Sequence, residues 1–464
     1  MRRLGKLTLA SAGALALACG ILVLAGESHS RATTEPPHLC SPEQQGSSPY
    51  HREPYPLDSG LHDGTAAQVT RVFAHTIRVP GAAWLRIHWS DYNLGAHSTI
   101  TVTSLEDGSQ QRLDGTSMQE WRGSSAFFNG DAVEVALYVA PGERGVFFRI
   151  AEISVGEPAI VAPAALLSPG DLCGEDNRQP TTDGAIGRFI FDQGPSQIGR
   201  CTGWIASNGA ILTAGHCADF AGYGAPDMIE FNVPTSTVSG DVVFSDADDQ
   251  YPIGRRVGFH NNGLGDDWGV FSVLPNSNTD LLPAYAQGAF YRVALPGDVS
   301  PATVRVTGYG IDDTPLERNR ILQTHSGAYL GAASTWVSYT VDTESGNSGS
   351  PVIDTATRAS VGIHTNGGCA SPGGANLGTS FEHDDLASTL HSFPGGSVSY
   401  VDNDHPAPTG NGNVLRPWWT VELAVYFAAS GETISIVKGS YDGAITITKA
   451  LTLTAPVGTV TIGL

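Results

Sequence analysis

Short runs of β-branched and aromatic residues, with apolar and polar positions alternating, are the main pattern of this chain. Between about residues 66 and 157 these runs, for example AAWLRIHWSDYNL and STITVTSLEDG, are separated by PG, DG and NG pairs. A period of two predicts strands that bury one face, and the pairs predict the turns between them. We therefore predict a β-sandwich domain over residues 66–157.

The segments on either side of this domain have a different pattern. Residues 26–65 are rich in Pro, Ser, Gly and His and have no apolar period, so we predict a disordered leader there. The run GEPAIVAPAALLSPG, residues 156–170, has the small residues and prolines of a linker, and we predict a linker over residues 158–180. A second β-rich unit follows over residues 181–394.

The last segment, residues 395–464, begins with a polar loop and continues with a helical pattern, TVELAVYFAAS. Four short strand-like runs follow: ISIV, AITIT, LTLTA and TVTI. Closely spaced short strands resemble the first coils of a right-handed β-helix. We predict a short β-helix-like tail that either docks on a neighbouring domain or is marginally stable, because so few coils bury little apolar surface alone.

The chain begins with Arg2, Arg3 and Lys6, followed by a long apolar run and a small-residue cleavage point near Ala25. This pattern predicts a secretory signal peptide over residues 1–25. The alternative is a retained anchor, since the run is long enough to span a bilayer. With the signal removed, we expect a secreted protein, extracellular or periplasmic, with no stable membrane partner.

Composition narrows the fold class and the partners. The 464 residues allow several domains, and 56 Gly and 28 Pro with only 15% charged residues indicate a mainly β protein. The formal net charge of −21 argues against a nucleic-acid partner, because phosphate binding needs clustered Lys and Arg.

Five cysteines remain after removal of the signal: Cys40, Cys173, Cys201, Cys217 and Cys369. Export permits disulfides. The spacing of Cys201 and Cys217 suits a hairpin closed by a disulfide, which contributes roughly 3 kcal/mol in the chain-entropy model. The pairing of the other three stays open.

Three motifs in the 181–394 unit carry candidate chemistry. They are CTGWIASNGAILTAGHC, which ends at a histidine and a cysteine, then GDDWGVF, and then TESGNSGSPV. A carboxylate at the start of a buried strand is what a histidine base needs for its orientation. Asp267 fits this role better than Asp266, because the apolar strand follows it directly.

In the order His, Asp, Ser, these motifs resemble the chymotrypsin-like serine peptidases, and particularly the bacterial glutamyl endopeptidases. The resemblance covers about residues 181–394 and implies a double β-barrel. It implies Ser348 as nucleophile, His216 as general base and Asp267 as the orienting carboxylate. The backbone N–H groups of Gly346 and Ser348 would form the oxyanion hole. Neutral Asn347 lacks the charge by which trypsin pairs with a freed N-terminal amine.

The same resemblance implies a substrate preference. Thr343 and His364 match the family positions that recognise a glutamate side chain, which predicts cleavage after Glu or Asp. Asp342 lies where trypsin carries its aspartate for basic side chains, so a preference for Arg or Lys is the competing interpretation.

A second class of function remains open, namely a secreted adhesive or binding protein with a silent peptidase unit. The sandwich would then bind a surface or another protein through five aromatic residues, whose alternative role is the core: Trp84, Trp89, Trp121, Phe147 and Phe148. No phosphate loop, HExxH or paired CxxC motif is present, so we predict neither a cofactor nor a metal.

Overall fold

The computed structural model describes residues 48–158, 171–192, 197–219, 224–369 and 373–463. The predicted signal peptide, the first part of the leader and Cys40 lie outside the described residues. Within the described ranges, every helix is too short or too polar to cross a bilayer.

The N-terminal domain is a sandwich of two sheets, with strand orders β2-β7-β4-β5 and β1-β8-β3-β6. Its elements are β1 (Ser48–Asp58), β2 (Thr70–Arg78), β3 (Trp84–Asn93), β4 (Thr99–Ser104), β5 (Gln110–Leu113), α1 (Gly115–Glu120), β6 (Phe128–Asn129), β7 (Ala132–Val139) and β8 (Phe147–Gly156). Buried and exposed positions alternate along β5, as the sequence pattern predicts for a half-buried strand.

The predicted disordered leader is wrong over β1. This strand pairs with β8 along its length, and its first residues, Ser48 and Pro49, pair with β11 of the following domain. Tyr50 is 2% exposed and belongs to the sandwich core. No apolar period marks this strand in the sequence, because pairing with distant strands rather than a local pattern forms it.

The 181–394 unit contains two closed six-stranded barrels, which confirms the predicted mainly β, double-barrel fold class. The first barrel and the segment before it contain β9 (Gln179–Pro180), β10 (Ile186–Phe191), β11 (Gln197–Ile205), β12 (Ile211–Thr213), α2 (Gly215–Ala218), β13 (Met228–Glu230), a 3-10 turn (Ala247–Asp249), β14 (Gln250–Asn261) and β15 (Asp267–Val273). Pairing of β10 with β11 closes this barrel.

The second barrel closes through the pair β16–β17. Its elements, with the connection before it, are α3 (Pro283–Gln287), α4 (Pro296–Val299), β16 (Thr303–Gly308), a 3-10 turn (Leu316–Arg318), β17 (Gln323–Ala333), β18 (Trp336–Tyr339), β19 (Pro351–Asp354), β20 (Ser360–Asn366), β21 (Asn376–Ser380) and α5 (Asp384–His391). β9 pairs with β17. The described end of the predicted linker, residues 171–180, is therefore part of the peptidase-like domain.

The sandwich and the first barrel share one apolar core. Phe244, between β13 and β14, stacks on Phe127 of the sandwich with ring centroids 4.4 Å apart. The Gln250 side chain accepts from Phe127 N and donates to Phe127 O, both at 2.9 Å. Arg86 and Asp192 form a buried ion pair at 2.6 Å across the same interface. We conclude that the sandwich is an integral part of the folded unit.

The sandwich aromatics are mostly core residues. Trp84, Trp89, Trp121 and Phe148 are buried, and Phe147 is partly exposed with the Arg149 guanidinium 4.6 Å from its ring centre. Because four of the five are buried, this set does not form the aromatic binding surface considered from the sequence.

The C-terminal segment forms parallel strand pairs, as stacked coils do. It contains β22 (Val398–Val401), α6 (Val421–Phe427), β23 (Thr433–Ile436), β24 (Gly439–Tyr441), β25 (Thr452–Thr454) and β26 (Val460–Ile462). β22, β23 and β25 pair in parallel, as do β24 and β26. The strand predicted at AITIT, residues 444–448, does not form.

Two arginine–aspartate pairs hold this tail against the peptidase-like domain. Arg292 donates to both carboxylate oxygens of Asp402 at 2.7 and 3.0 Å. Arg416 of the tail donates to both oxygens of Asp298 at 2.7 and 2.8 Å. Bidentate pairs of this kind fix orientation as well as distance. The tail is therefore docked on the neighbouring peptidase-like domain.

Candidate active site

His216 and Asp267 meet where two neighbouring strands of the first barrel run side by side. Thr213 of β12 is opposite Gly269 of β15, so the turn α2 after β12 lies beside the start of β15. The His216 backbone N–H donates to Asp267 Oδ1 at 2.8 Å, and its Nδ1–H donates to Asp267 Oδ2 at 2.7 Å. Each carboxylate oxygen therefore holds a different part of one histidine, its backbone or its ring.

Close packing around this pair explains the glycine before the histidine. A Cβ on Gly215 would lie 1.6 Å from the carbonyl oxygen of His260 on β14, so no side chain fits there. On the other side, Thr379 Oγ1 donates to Asp267 O at 2.8 Å. The turn and the carboxylate are thus held by β14 and by β21 of the second barrel.

The electrostatics of the pair favour a basic imidazole. Burial acts to lower the pKa of His216, but the negative charge of Asp267 and its hydrogen bond outweigh burial and raise that pKa above its usual value. Asp267 is 1% exposed. Because Nδ1 is bonded to Asp267, Nε2 is the ring nitrogen that can accept a proton.

Ser348 is brought to the same place by the backbone of its turn. Thr202 N donates to Ser348 O at 2.9 Å, and Thr202 follows Cys201, whose disulfide partner Cys217 follows His216. A Cβ on Gly349 would lie 2.1 Å from Thr202 O, so this approach requires glycine. Ser348 Oγ makes no hydrogen bond with the described residues, and such bonds are often long before substrate binds.

The turn before Ser348 offers two free donors. Neither the N–H of Gly346 nor that of Ser348 donates to any residue in the described ranges. Gly346 has a φ of +105°, which an L side chain rarely adopts. Thr202 Oγ1 donates to Gly346 O at 2.8 Å and so fixes the orientation of the peptide. Two neighbouring N–H groups without an acceptor among the described residues suit a developing oxyanion.

The loop that carries Asn347 is braced by the segment before the first barrel. Arg178, 2% exposed, donates from Nη2 to Ile311 O at 2.9 Å. Ile311 N in turn donates to Ser345 O at 2.9 Å. A buried internal guanidinium thus supports the loop that carries Asn347.

The candidate substrate pocket is organised around Asn376 of β21, which sequence reasoning missed. Its Nδ2 lies 2.9 Å from Thr343 Oγ1 and 2.7 Å from Val341 O, and its Oδ1 accepts from Gly368 N at 2.9 Å. Asn376 Nδ2 also lies 2.7 Å from Asp171 O. The Thr343 O–H donates to no other described residue, so it is available as a donor.

His364 lies on β20 beside the nucleophile turn. Gly349 N donates to His364 O and His364 N donates to Ser350 O, both at 2.8 Å. Its Nδ1 is 2.7 Å from the Tyr339 hydroxyl, so Nε2 is the nitrogen left for a ligand. Burial, and then the charge of His216, lower the pKa of His364 to about 3. The imidazole is therefore neutral in the free protein at physiological pH.

Asp342 does not lie open to a substrate. Its side chain accepts from Cys173 N at 2.8 Å and from Asn177 N at 2.9 Å, and the residue is 2% exposed. Its carboxylate thus anchors the segment before the first barrel. The substrate-binding role considered for Asp342 from the sequence is not what this geometry supports.

The second disulfide pairs Cys173 with Cys369 and ties the same segment to the loop after β20. The sequence had left this pairing open. Tyr339 and Asn376, the two residues that organise Thr343 and His364, carried no motif. Only pairing of β18 and β21 in the second barrel, with Tyr339 opposite Asn376, brings them together.

The paired six-stranded barrels, with a histidine–aspartate pair on one and a glycine-rich serine turn on the other, define the trypsin-like class. A family model described as a trypsin-like peptidase domain matches residues 201–363 of this chain. The glutamyl endopeptidase of Bacillus licheniformis is 29% identical over 188 residues, which are 37% of this chain and 53% of that protein. This chain thus spans about half the length of that relative.

Two solved structures each match about half of this chain. A Glu endopeptidase in complex with MPD is 20% identical, with a TM-score of 0.37, and the match covers 47% of this chain and 96% of that one. The Vibrio cholerae VesB protease is 16% identical, with a TM-score of 0.32, and the match covers 50% and 72% of the two chains.

Proposed function

We propose that this protein is a secreted serine endopeptidase that uses Ser348, His216 and Asp267 and cleaves after Glu or Asp. The observation that carries the proposal is the pair of hydrogen bonds that His216 donates to Asp267, one from its backbone N–H and one from its ring Nδ1–H. This arrangement leaves Nε2 as the proton acceptor on a ring whose orientation is set by the hydrogen bond to Asp267. It is the geometry that a serine nucleophile requires of its base.

The reaction is acyl transfer followed by hydrolysis. Ser348 Oγ attacks the scissile carbonyl carbon while its proton moves to His216 Nε2. His216 then donates that proton to the leaving amine, which departs and leaves the acyl-enzyme. A water molecule gives a proton to His216 and attacks the ester, and the proton returns to Ser348 when the acid is released. Asp267 stabilises the imidazolium formed in each half-reaction.

Charge develops on the carbonyl oxygen during both attacks. The free N–H groups of Gly346 and Ser348 support these residues as the oxyanion donors. One such donor typically lowers the activation barrier by about 3–4 kcal/mol.

The preference for an acidic side chain is supported by a polar pocket without a free carboxylate. The Thr343 hydroxyl can act as a donor, because its O–H donates to no other described residue. Neutral His364 supplies a second donor through Nε2. A bound carboxylate would raise the low pKa of His364 and draw a proton onto the ring, which strengthens binding. Asp342 is occupied by backbone donors, which disfavours Arg or Lys.

The disulfides support export of the protein, and the shared core supports retention of the sandwich. Two disulfides within the described residues fit an oxidising compartment. Because the sandwich shares a core with the first barrel, we propose that it stays attached in the active enzyme.

Matched peptide substrates test this function. We expect peptides that differ only in the residue before the scissile bond to be cleaved much faster with Glu there than with Gln or Arg. A phosphonate probe should label Ser348, and the label should be lost in His216→Ala. Labelling with preferred cleavage after Arg would overturn the specificity alone. No labelling and no cleavage by the folded, secreted protein would overturn the enzyme.

A further inference from the structure

Two histidines and an aspartate outside the candidate triad meet at the open end of the β14–β15 hairpin. His260 Nδ1 and His383 Nε2 lie 2.6 and 2.8 Å from Asp266 Oδ1. The three ligand atoms all lie within 4.8 Å of one another. His260 and Asp266 belong to the first barrel, and His383 caps α5 beyond the second. The cluster therefore spans both barrels.

Neighbouring polar side chains orient two of these three groups. Asn262 Nδ2 donates to Asp266 Oδ2 at 2.8 Å, which orients the carboxylate. Asp385 Oδ2 lies 3.9 Å from His260 Nε2, the nitrogen that must carry the proton when Nδ1 binds a metal. Such outer carboxylates and amides fix the tautomer and orientation of metal ligands.

Access and packing also fit an ion. The side chains of His260 and Asp266 are 35% and 34% exposed, so an ion can reach them from solvent. The Trp268 ring centre lies 4.8 Å from that of His260 and 5.8 Å from that of His383, which restricts both imidazoles. The site thus combines an open side with two rings of limited freedom.

We propose that His260 Nδ1, His383 Nε2 and the Asp266 carboxylate bind one Zn²⁺ ion, with water as a fourth ligand. Two imidazoles and a carboxylate suit Zn²⁺, whereas Ca²⁺ and Mg²⁺ prefer oxygen ligands alone. On binding, the His383 proton moves to Nδ1. Within the described ranges, this shift displaces one hydrogen bond, a long one of 3.4 Å from Leu386 N.

The position of the site gives the ion a structural role. Asp266 immediately precedes Asp267, and the Asp267 backbone is already bonded to Thr379 of the second barrel. A metal on Asp266 and His383 would join the two barrels again, one residue away. We expect Zn²⁺ to raise the melting temperature by selective binding to the folded state. This inference does not depend on peptidase activity.

Calorimetric titration of the full-length secreted protein, carried as Ser348→Ala to prevent self-digestion, tests the site. Zn²⁺ should bind with one-to-one stoichiometry, and Co²⁺ should give visible absorption bands of a nitrogen-ligated ion. Both signals should weaken at least about a hundredfold in His260→Ala and in His383→Ala. Asp385→Asn should weaken binding by about tenfold, as outer-ligand changes do.

His97→Ala, on an exposed histidine of the sandwich, is the matched control and should bind Zn²⁺ unchanged. Should His383→Ala fail to fold because it removes the helix cap, His260→Ala decides the question alone. The absence of saturable Zn²⁺ binding would overturn the proposal. So would binding of full strength in His260→Ala, because the ion would then lie elsewhere.

Discussion

The guanidinium of Arg320 fills the space that a side chain on Gly346 would need. A Cβ at residue 346 would lie 2.1 Å from Arg320 Nη1 and 2.5 Å from Tyr309 O. Arg320 is 1% exposed, and burial followed by the charge of Arg188 lowers its pKa to about 9. The candidate oxyanion turn thus rests on a buried cation and tolerates no substituent.

Gly346→Ala should therefore lower kcat by about a hundredfold to a thousandfold, the loss expected for one oxyanion donor. The added methyl displaces the peptide, and φ near +105° adds backbone strain. Steady-state kinetics on a Glu peptide measure the effect. Gly297→Ala, where nothing lies within 4 Å of the new Cβ, should keep full activity. Equal activity in both variants would exclude the oxyanion role.

Asp267→Asn should reduce kcat about ten-thousandfold. The backbone N–H of His216 keeps the amide oxygen, so the amide nitrogen faces Nδ1. Nδ1 must then accept, and Nε2 carries the proton and cannot act as base. Single-turnover kinetics measure the loss. Asp266→Asn, which alters the neighbouring carboxylate but not the His216 bonds, should retain most activity. A small effect of Asp267→Asn would contradict its orienting role.

The pH dependence of kcat/KM should have an acidic limb set by His216. Only neutral His216 accepts the serine proton, so activity rises with pH through its raised pKa. The sign for stability is opposite. A raised folded-state pKa contributes stability below the unfolded value of about 6.5, and the contribution is lost as pH rises through the folded value. Asp267→Asn should move the residual acidic limb to lower pH; an unmoved limb would assign it to another group.

Tyr339→Phe should weaken the preference for Glu over Gln, because His364 loses the hydroxyl bonded to its Nδ1. We expect KM for the Glu peptide to rise about tenfold or more, the factor expected for loss of one hydrogen bond to a charged or buried group. The kcat for a well-bound substrate should change less. Tyr138→Phe, in the sandwich, is the control. Unchanged discrimination in Tyr339→Phe would remove His364 from the pocket.

Phe244→Ala should destabilise the protein by about 3–5 kcal/mol, because it empties a core shared by the sandwich and the first barrel. Urea unfolding followed by tryptophan fluorescence measures the loss. We expect one transition for both domains, shifted as a unit. Phe427→Ala, whose ring is 59% exposed, should change stability little. Two separate transitions in the wild-type protein would contradict a common core.

The elements that depend on local pattern were predicted from the sequence. Alternating runs identified the strands of the sandwich, and TVELAVYFAAS identified α6 (Val421–Phe427). The glycines of the serine turn also carry local information, since Gly346 and Gly349 have positive φ. Strand propensity alone was not sufficient: AITIT was predicted as a strand, but it has no strand partner in the described residues and does not form one.

The specificity residues show where local pattern ends. Asp342 and Thr343 are neighbours in the chain, yet the backbone of Cys173 and Asn177 occupies the first and the amide of Asn376 bonds the second. No property of the DTES run distinguishes these environments. Each is set by segments that reach the pocket only through barrel closure and the Cys173–Cys369 disulfide.

The sequence by itself determined the fold class and the order of histidine, aspartate and serine, because strand periodicity and turn glycines act within a few residues. Tertiary structure decided which groups surround Thr343 and His364, and that β1 and the sandwich join the first barrel. These outcomes depend on pairing and burial between distant segments. Their free energy is gained only after the strands have closed into barrels.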